Sequence, residues 1–213
     1  MFERLKEDVN AVRERDPAAR NFFEVLFLYP GVKAIRMHRR ANFFYKRGWH
    51  FWARFISQRA ARKTGIEIHP GATIGRRLVI DHGTGIVIGE TTEIGDDVLI
   101  YQGVTLGGTG KDTGKRHPTI GNNVMISAGA KVLGPFKVGD NSRIAAGAVV
   151  LSEVPPNSTV VGVPARVVRQ DGKKIGHNLD QIHMPDPVKQ KMENLEGRIA
   201  ELEGIISGLG DNK

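Results

Sequence analysis

Residues 80–107 read IDHGTGIVIGETTEIGDDVLIYQGVTLG, and from residue 88 onward a large aliphatic side chain recurs at every sixth position. The spacing continues on both sides of this stretch, with two interruptions of eight and fourteen residues. A period of six suits neither an α-helix nor an alternating strand, and it is typical of a hexapeptide β-solenoid. The aliphatic positions are Ile68, Ile74, Ile80, Ile88, Ile94, Ile100, Leu106, Ile120, Ile126, Val132, Val138, Ile144 and Val150.

We therefore predict a parallel β-solenoid over residues 66–168. Each unit of six should form one short strand with its aliphatic side chain inward, and three units should close one coil. Coils should stack about 4.8 Å apart. The spacing does not specify handedness, and the general rule for parallel crossovers favours a right-handed turn.

Both interruptions exceed a multiple of six by two residues, and such an excess is expected to bulge at a corner of the solenoid. The first begins at Asp81-His82. The second contains residues 107–118, which are rich in glycine and charged side chains. That composition predicts a loop extruded from the solenoid.

The segments on either side of the solenoid predict helices. Residues 1–65 should form three or four helices, with Asp16-Pro17 as the N-cap and first residue of one and Gly65 as the end of the last. Residues 169–213 predict a linker and a C-terminal helix with an a/d pattern, which either self-associates as a coiled coil or packs on its own subunit. The apolar residues of that pattern are Met192, Leu195, Ile199, Leu202, Ile206 and Leu209.

Composition narrows the class of protein. The 213 residues contain no cysteine, which excludes disulfides and thiol nucleophiles and fits a reducing compartment. We find no signal peptide or membrane-spanning run and expect a cytoplasmic protein. The net charge is +8, and residues 31–63 carry ten Lys or Arg, no acid and many aromatics. This segment predicts either a surface for an anionic partner or a docked helix whose cations stay in water.

Three histidines, His69, His82 and His117, are candidates for chemistry. His69 and His82 are expected near corners of the solenoid with their side chains away from the core, and His117 closes the extruded loop. Glu67 precedes His82 by nearly one coil, so stacking would bring a carboxylate near an imidazole. That arrangement orients a general base.

Three motifs resemble the serine O-acetyltransferases, which are hexapeptide-repeat acyltransferases. They are DHGTGIVIGET at residues 81–91, VTLGGTGK at 104–111 and RHP at 116–118, with further likeness at 15–18 and a weaker, widely shared motif at 162–166. The resemblance implies a left-handed β-helix, against the general rule. It also implies a homotrimer with active sites between neighbouring solenoids, acetyl-CoA as donor and L-serine as acceptor. No metal, nucleic acid or membrane is implied.

The resemblance also assigns residues. His82 would be the general base, and Glu67 stands where many members have aspartate. The residues implied for L-serine are Asp16 and Asp81 at its ammonium, and Arg116 and His117 at its carboxylate. The residues implied for the coenzyme are Gly108, Thr109, Ala128, Arg143 and Ala146.

The chain departs from longer members of this family in two ways. Longer members have an additional helical region that pairs trimers into hexamers, so we expect a free trimer here. Longer members also end in an isoleucine that docks into O-acetylserine sulfhydrylase. This chain ends in Asp211-Asn212-Lys213, so we expect no such docking and expect the C-terminal helix to bundle the trimer.

Three alternatives stay open at this point. The acceptor could be another hydroxyl compound, such as a sugar or an antibiotic, although Asp16 and Arg116 would then lack charges to pair with. The solenoid could be a metal lyase like the γ carbonic anhydrases, with the three histidines on zinc. It could also be a non-catalytic scaffold.

Overall fold

A computed structural model describes residues 2–108, 110, 113–174 and 198–199. The predicted C-terminal heptad helix lies outside the described residues, apart from residues 198–199. The described N-terminal region contains helices α1 (Phe2–Arg15), α2 (Phe22–Leu28), α3 (Pro30–Tyr45) and α4 (His50–Thr64). As predicted, α4 ends at Gly65, which adopts a φ of 71° and donates its N–H to the carbonyl of Ala61.

The prediction that Asp16-Pro17 starts a helix is wrong. The N–H of Asp16 donates to the carbonyl of Val12 at 2.8 Å, so Asp16 follows the last turn of α1. Its carboxylate accepts the N–H of Ala18 at 2.8 Å and the hydroxyl of Tyr29 at 2.7 Å. The N-cap of α2 is Asn21, whose side chain accepts the N–H of Glu24. A short carboxylate suits a turn as well as an N-cap, which is why the sequence pattern misled.

Sixteen short strands follow the helices among the described residues. They are β1 (Ile66–Ile68), β2 (Thr73–Ile74), β3 (Val79–Ile80), β4 (Ile86–Ile88), β5 (Glu93–Ile94), β6 (Leu99–Ile100), β7 (Thr105–Gly107), β8 (Thr119–Ile120), β9 (Met125–Ile126), β10 (Lys131–Leu133), β11 (Lys137–Val138), β12 (Arg143–Ile144), β13 (Val149–Val150), β14 (Ser158–Val161), β15 (Arg166–Gln170) and β16 (Lys173–Lys174).

The strands form three sheets along the sides of the solenoid. Sheet 1 has the order β1-β4-β7-β10-β13, sheet 2 has β2-β5-β8-β11, and sheet 3 begins with β3-β6-β9-β12-β14. In these ladders every pair is parallel, and the antiparallel strands β15 and β16 extend sheet 3 past residue 168.

The register follows the hexad pattern. Ile68 pairs with Ile88, Ile88 with Leu106, Leu106 with Val132, and Val132 with Val150. The differences between these numbers give coils of 20, 18, 26 and 18 residues. Coils without an interruption therefore contain three units of six, and each interruption lengthens one coil. The inward aliphatic side chains form one buried core, as predicted.

Both interruptions lie at corners, as predicted. We call the edge between sheets 3 and 1 the base corner (residues 81–85, 101–104, 127–130 and 145–148), because it carries His82. We call the edge between sheets 1 and 2 the loop corner (residues 69–72, 89–92 and 107–118), because the long loop leaves there. The short interruption turns through His82, Gly83 and Gly85, whose φ values are 57°, 86° and 75°.

The helices pack at the first coil. Ala53, Ser57 and Ala60 of α4 are buried, and the Ser57 hydroxyl donates to the carbonyl of Ile68 at 3.0 Å. The docked-helix interpretation of the basic segment is therefore correct for this small-residue face. The aromatic residues of α4 lie on the opposite side and stay largely exposed in the single chain, with Phe51 74% accessible. None of the described helices is long and apolar enough to cross a membrane.

A buried histidine makes the fold sensitive to acid. His38 of α3 is 4% exposed, and burial lowers its pKa to about 4. Nearby Arg39, His69 and Lys46 act in the same direction. The unfolded chain takes up this proton below about pH 6.5, whereas the native chain does so only near pH 4, so stability falls as the pH drops between these values.

We expect the His38 contribution to lower the free energy of unfolding by about 2 kcal/mol between pH 7 and pH 5. Urea unfolding of the wild type and of His38→Gln at both pH values measures it. The variant should lose less stability than the wild type on acidification. Equal losses in the two proteins would contradict the assignment.

Candidate active site

The base corner presents His82 and Asp81 to solvent. The His82 side chain is 74% exposed and that of Asp81 is 28% exposed, with 3.9 Å between His82 Nε2 and Asp81 Oδ1. The two extra residues of the first interruption are accommodated at this corner, where His82 has a positive φ. An exposed imidazole is free to exchange a proton with a bound acceptor.

Glu67 lies on the outer face of sheet 1, where it pairs in register with Val87. Its carboxylate is 42% exposed and lies 3.9 Å from the guanidinium of Arg54 on α4. Among the described residues of the single chain, no hydrogen bond joins Glu67 to His82. Their action as a dyad therefore stays a prediction.

The structure brings the two predicted ammonium ligands together. Asp16 and Asp81 line one small cavity between α1 and the solenoid, together with Tyr29 and Tyr101. The hydrogen bond from Tyr29 to Asp16, with burial, raises the pKa of Tyr29 to about 12, so its hydroxyl stays a donor. Sequence reasoning missed Tyr101. Its position could have been predicted, because Ile80 and Ile100 pair in register and Asp81 and Tyr101 directly follow them.

Arg116 and His117 lie at the loop corner, against Glu90 and Thr91 of the preceding coil. The Arg116 guanidinium forms an ion pair with Glu90. The backbone N–H groups of Arg116 and His117 both donate to the hydroxyl oxygen of Thr91 at 3.1 Å. These bonds attach the end of the extruded loop to the rigid wall.

The hydrogen bonds of His117 define its tautomer. Its Nδ1 accepts the backbone N–H of Thr91 at 3.2 Å and lies 2.9 Å from the Thr91 hydroxyl. The proton of the neutral ring is therefore on Nε2, and the His117 side chain is buried in the single chain. Burial lowers the pKa of His117, and the neighbouring Arg116 lowers it further. Gly89 leaves room for this ring, because a Cβ there would lie 2.1 Å from Nε2.

Glu90 connects this group to the helices. Its Oε1 accepts the hydroxyl of Tyr45 at 2.7 Å, and its Oε2 accepts from Arg116. The hydrogen bond from Tyr45, followed by that from Arg116, lowers the pKa of Glu90. Tyr45 also packs edge-to-face on His69, with ring centroids 5.8 Å apart. Glu90 and Tyr45 were missed at the sequence level, since no spacing rule relates α3 to the loop.

The residues implied for the coenzyme fall into two places. Gly108 lies at the base of the extruded loop, where a Cβ would come within 3.0 Å of the Arg116 carbonyl oxygen. Thr109 is outside the described residues. Ala128 and Ala146 lie on the base corner, two and three coils beyond His82, and Arg143 is exposed on β12 of the adjoining sheet 3.

The candidate residues thus form two halves at different corners of one chain. Sheet 1 separates the half with His82, Asp81 and Asp16 from the half with Arg116 and His117. The two halves lie at opposite ends of the strands of sheet 1, and the three residues of β4 alone extend over about 10 Å, which is longer than one amino-acid ligand. Within the described part of the chain, no three His, Asp or Glu side chains are grouped to hold a metal ion.

Comparisons with known proteins find similar sequences and similar structures. Residues 117–152 match the family described as bacterial transferase hexapeptide (six repeats). The chain is 57% identical to the serine acetyltransferase of Bacillus subtilis over 205 residues, which are 96% of this chain and 94% of that relative. It is also similar to the crystal structure of Neisseria gonorrhoeae serine acetyltransferase, with a TM-score of 0.78 and 42% identity over 84% of this chain and 72% of that one.

A second crystal structure of the Neisseria gonorrhoeae enzyme, in complex with serine, matches with a TM-score of 0.76 and 44% identity. It covers 79% of this chain and 69% of that chain. These likenesses confirm the fold class implied by the motifs, a left-handed β-helix preceded by helices. The right-handed turn favoured by the general crossover rule is wrong for this solenoid.

Proposed function

The chain belongs to the serine acetyltransferase family, and we propose on this premise that each active site is built from two copies of the chain. Transfer of an acetyl group to the hydroxyl of serine is the activity that this membership gives. Acceptors such as sugars, and the metal-lyase chemistry considered above, are not favoured. The proposal of a two-chain site rests on one observation. The acidic candidates lie at the base corner, and the candidate donors Arg116 and His117 lie at the loop corner.

Each half suits one end of the acceptor. L-Serine is a zwitterion at neutral pH, and its ammonium needs anions whereas its carboxylate needs donors. Asp16 and Asp81 supply the anions at the base corner, and Arg116 and His117 supply the donors at the loop corner. The ligand meets both sets when the base corner of one chain faces the loop corner of another.

A closed ring repeats this contact at every interface. Sheet 1 lies between the two corners, so its outer face would point toward the rotation axis. Three triangular solenoids arranged in this way would close the ring. We propose this homotrimer as the active assembly. We propose that the chain is divided into segments 1–65, 66–168 and 169–213. The first segment provides Asp16, and the second provides the other acceptor and coenzyme contacts.

His82 would act as the general base. Its imidazole takes the proton of the serine hydroxyl while the hydroxyl oxygen attacks the thioester carbonyl carbon of acetyl-CoA. The carbon–sulfur bond then breaks, and the leaving thiolate recovers the proton from the imidazolium. Glu67 would orient the ring and stabilise its charged form.

Acetyl-CoA would lie along the base corner. Small side chains at Ala128 and Ala146 leave this corner open in the coils beyond His82, and a Cβ placed on the adjacent Gly147 would meet nothing within 4 Å. Arg143 would meet a phosphate of the coenzyme, and backbone amides near Gly108 and Thr109 would stabilise the oxyanion. Gly108, Ala128, Arg143 and Ala146 are proposed on the family motif and on their position, and Thr109 is proposed on the motif alone.

The test is the release of free thiol from acetyl-CoA by the purified full chain. We expect release that depends on L-serine, and light scattering should give the mass of three chains. The product should be O-acetyl-L-serine by mass spectrometry. Release that is independent of L-serine would contradict the activity, and a fully active monomer would contradict the two-chain site.

A further inference from the structure

We infer that Glu90 and Tyr45 are positioning residues that hold Arg116 for the substrate carboxylate and so determine the preference for a carboxylate-bearing acceptor. The inference rests on the proposed function, because it takes Arg116 as a carboxylate ligand. Neither residue is expected to touch the substrate.

The contacts of Glu90 use both of its oxygens. Oε2 accepts from the Arg116 guanidinium, and Oε1 accepts the Tyr45 hydroxyl at 2.7 Å. A carboxylate held at both oxygens has one orientation, so it fixes the guanidinium that it meets. The lowered pKa of Glu90 keeps it anionic at neutral pH.

Arg116 needs such a support because it comes from the extruded loop. Its side chain has one further hydrogen bond among the described residues, to the carbonyl of Gly114 in the same loop at 3.5 Å. Glu90 is therefore the contact that ties this guanidinium to the solenoid wall. A guanidinium has five N–H donors, so pairing with Glu90 leaves donors for a ligand. The Arg116 side chain keeps 24% of its surface accessible.

Tyr45 supports Glu90 from the other side. It is the last residue of α3, and its ring packs edge-to-face on His50 and His69, with centroids 5.0 and 5.8 Å apart. The hydrogen bond to Glu90 raises the pKa of Tyr45, so the phenol stays protonated and donates. The helical region thereby contacts the loop-corner half of the site through the Tyr45 hydroxyl.

Glu90 could instead weaken serine binding, and the experiment must distinguish this effect from positioning. A carboxylate beside Arg116 competes with the substrate carboxylate for the same charge. If competition dominated, removal of the Glu90 charge would improve serine binding. If positioning dominates, as we infer, removal frees the guanidinium and weakens binding.

The experiment compares two acceptors, L-serine and L-serinamide, which keeps the hydroxyl and ammonium but has no carboxylate. In Glu90→Gln we expect KM for L-serine to rise roughly 10-fold to 100-fold, the size of a lost charge-assisted bond. In Tyr45→Phe we expect a rise of roughly 3-fold to 10-fold. The values for L-serinamide and KM for acetyl-CoA should stay unchanged.

A matched control is Glu93→Gln, since Glu93 pairs with Lys115 of the same loop at 3.0 Å rather than with Arg116. It should keep the wild-type preference, and Glu90→Asp should recover part of it. Wild-type enzyme that does not prefer L-serine over L-serinamide would refute the role of Arg116, and with it the premise. Wild-type preference that survives in Glu90→Gln and Tyr45→Phe, or an equal loss with both acceptors, would overturn the inference alone.

Discussion

Replacement of His82 by alanine lowers kcat with L-serine by roughly 10²-fold to 10⁴-fold, the usual contribution of a general base. The His82 side chain is 74% exposed and contributes little packing. KM for acetyl-CoA and the mass of the assembly are therefore expected to match the wild type. Steady-state kinetics and light scattering measure both.

The backbone at His82 requires a second variant. Its φ of 57° is unfavourable for alanine, so a loss in His82→Ala could arise from a distorted corner. Asparagine adopts this conformation readily and cannot act as a base near neutral pH. His82→Asn should therefore lose as much activity as His82→Ala while keeping its unfolding midpoint. Activity within a few-fold of wild type in either variant is the result that would refute His82 as the base.

Replacement of Gly89 by alanine should lower kcat/KM for L-serine by about 100-fold, as expected when a site residue moves by about 1 Å. The new Cβ would lie 1.9 Å from Cδ2 and 2.1 Å from Nε2 of His117. Such distances are impossible, so the imidazole must leave its place over Gly89. Its hydrogen bonds to Thr91 would be lost or distorted with it.

Gly114→Ala is the matched control. Gly114 belongs to the extruded loop that ends at His117, and a Cβ there meets nothing within 4 Å. We expect it to keep wild-type kcat/KM. Both variants should keep the far-ultraviolet circular dichroism of the wild type. Full activity in Gly89→Ala would show that the position of His117 does not matter for the acceptor.

The repeat explains how much of the fold was predictable. Aliphatic side chains at a spacing of six identify strands, corners and register together, because each unit faces the same environment in every coil. Pairs such as Ile68 with Ile88 therefore follow from counting alone. Handedness did not follow from the spacing, and the general rule gave the wrong turn.

Residues of the candidate site could be predicted only where they interrupt the repeat or belong to a family motif. The two interruptions point to His82 and Arg116 as candidate site residues, because both lie where the six-residue repeat is broken. Glu90 and Tyr45 are different, since they meet the loop through contacts between separate elements. Asp16 was proposed as a substrate ligand from the family resemblance alone. The local prediction at Asp16 failed, because the chain forms a turn there and not the start of a helix.

The central claim is that one active site takes residues from two chains. The most direct measurement mixes His82→Ala with Arg116→Ala, each inactive alone, after joint refolding at equal amounts. If the site spans two chains, an interface that joins an intact His82 to an intact Arg116 regains activity. A random closed ring should then show roughly a quarter of the wild-type activity. If the mixture shows only the average of the two inactive parents, both halves act within one chain and the account is wrong.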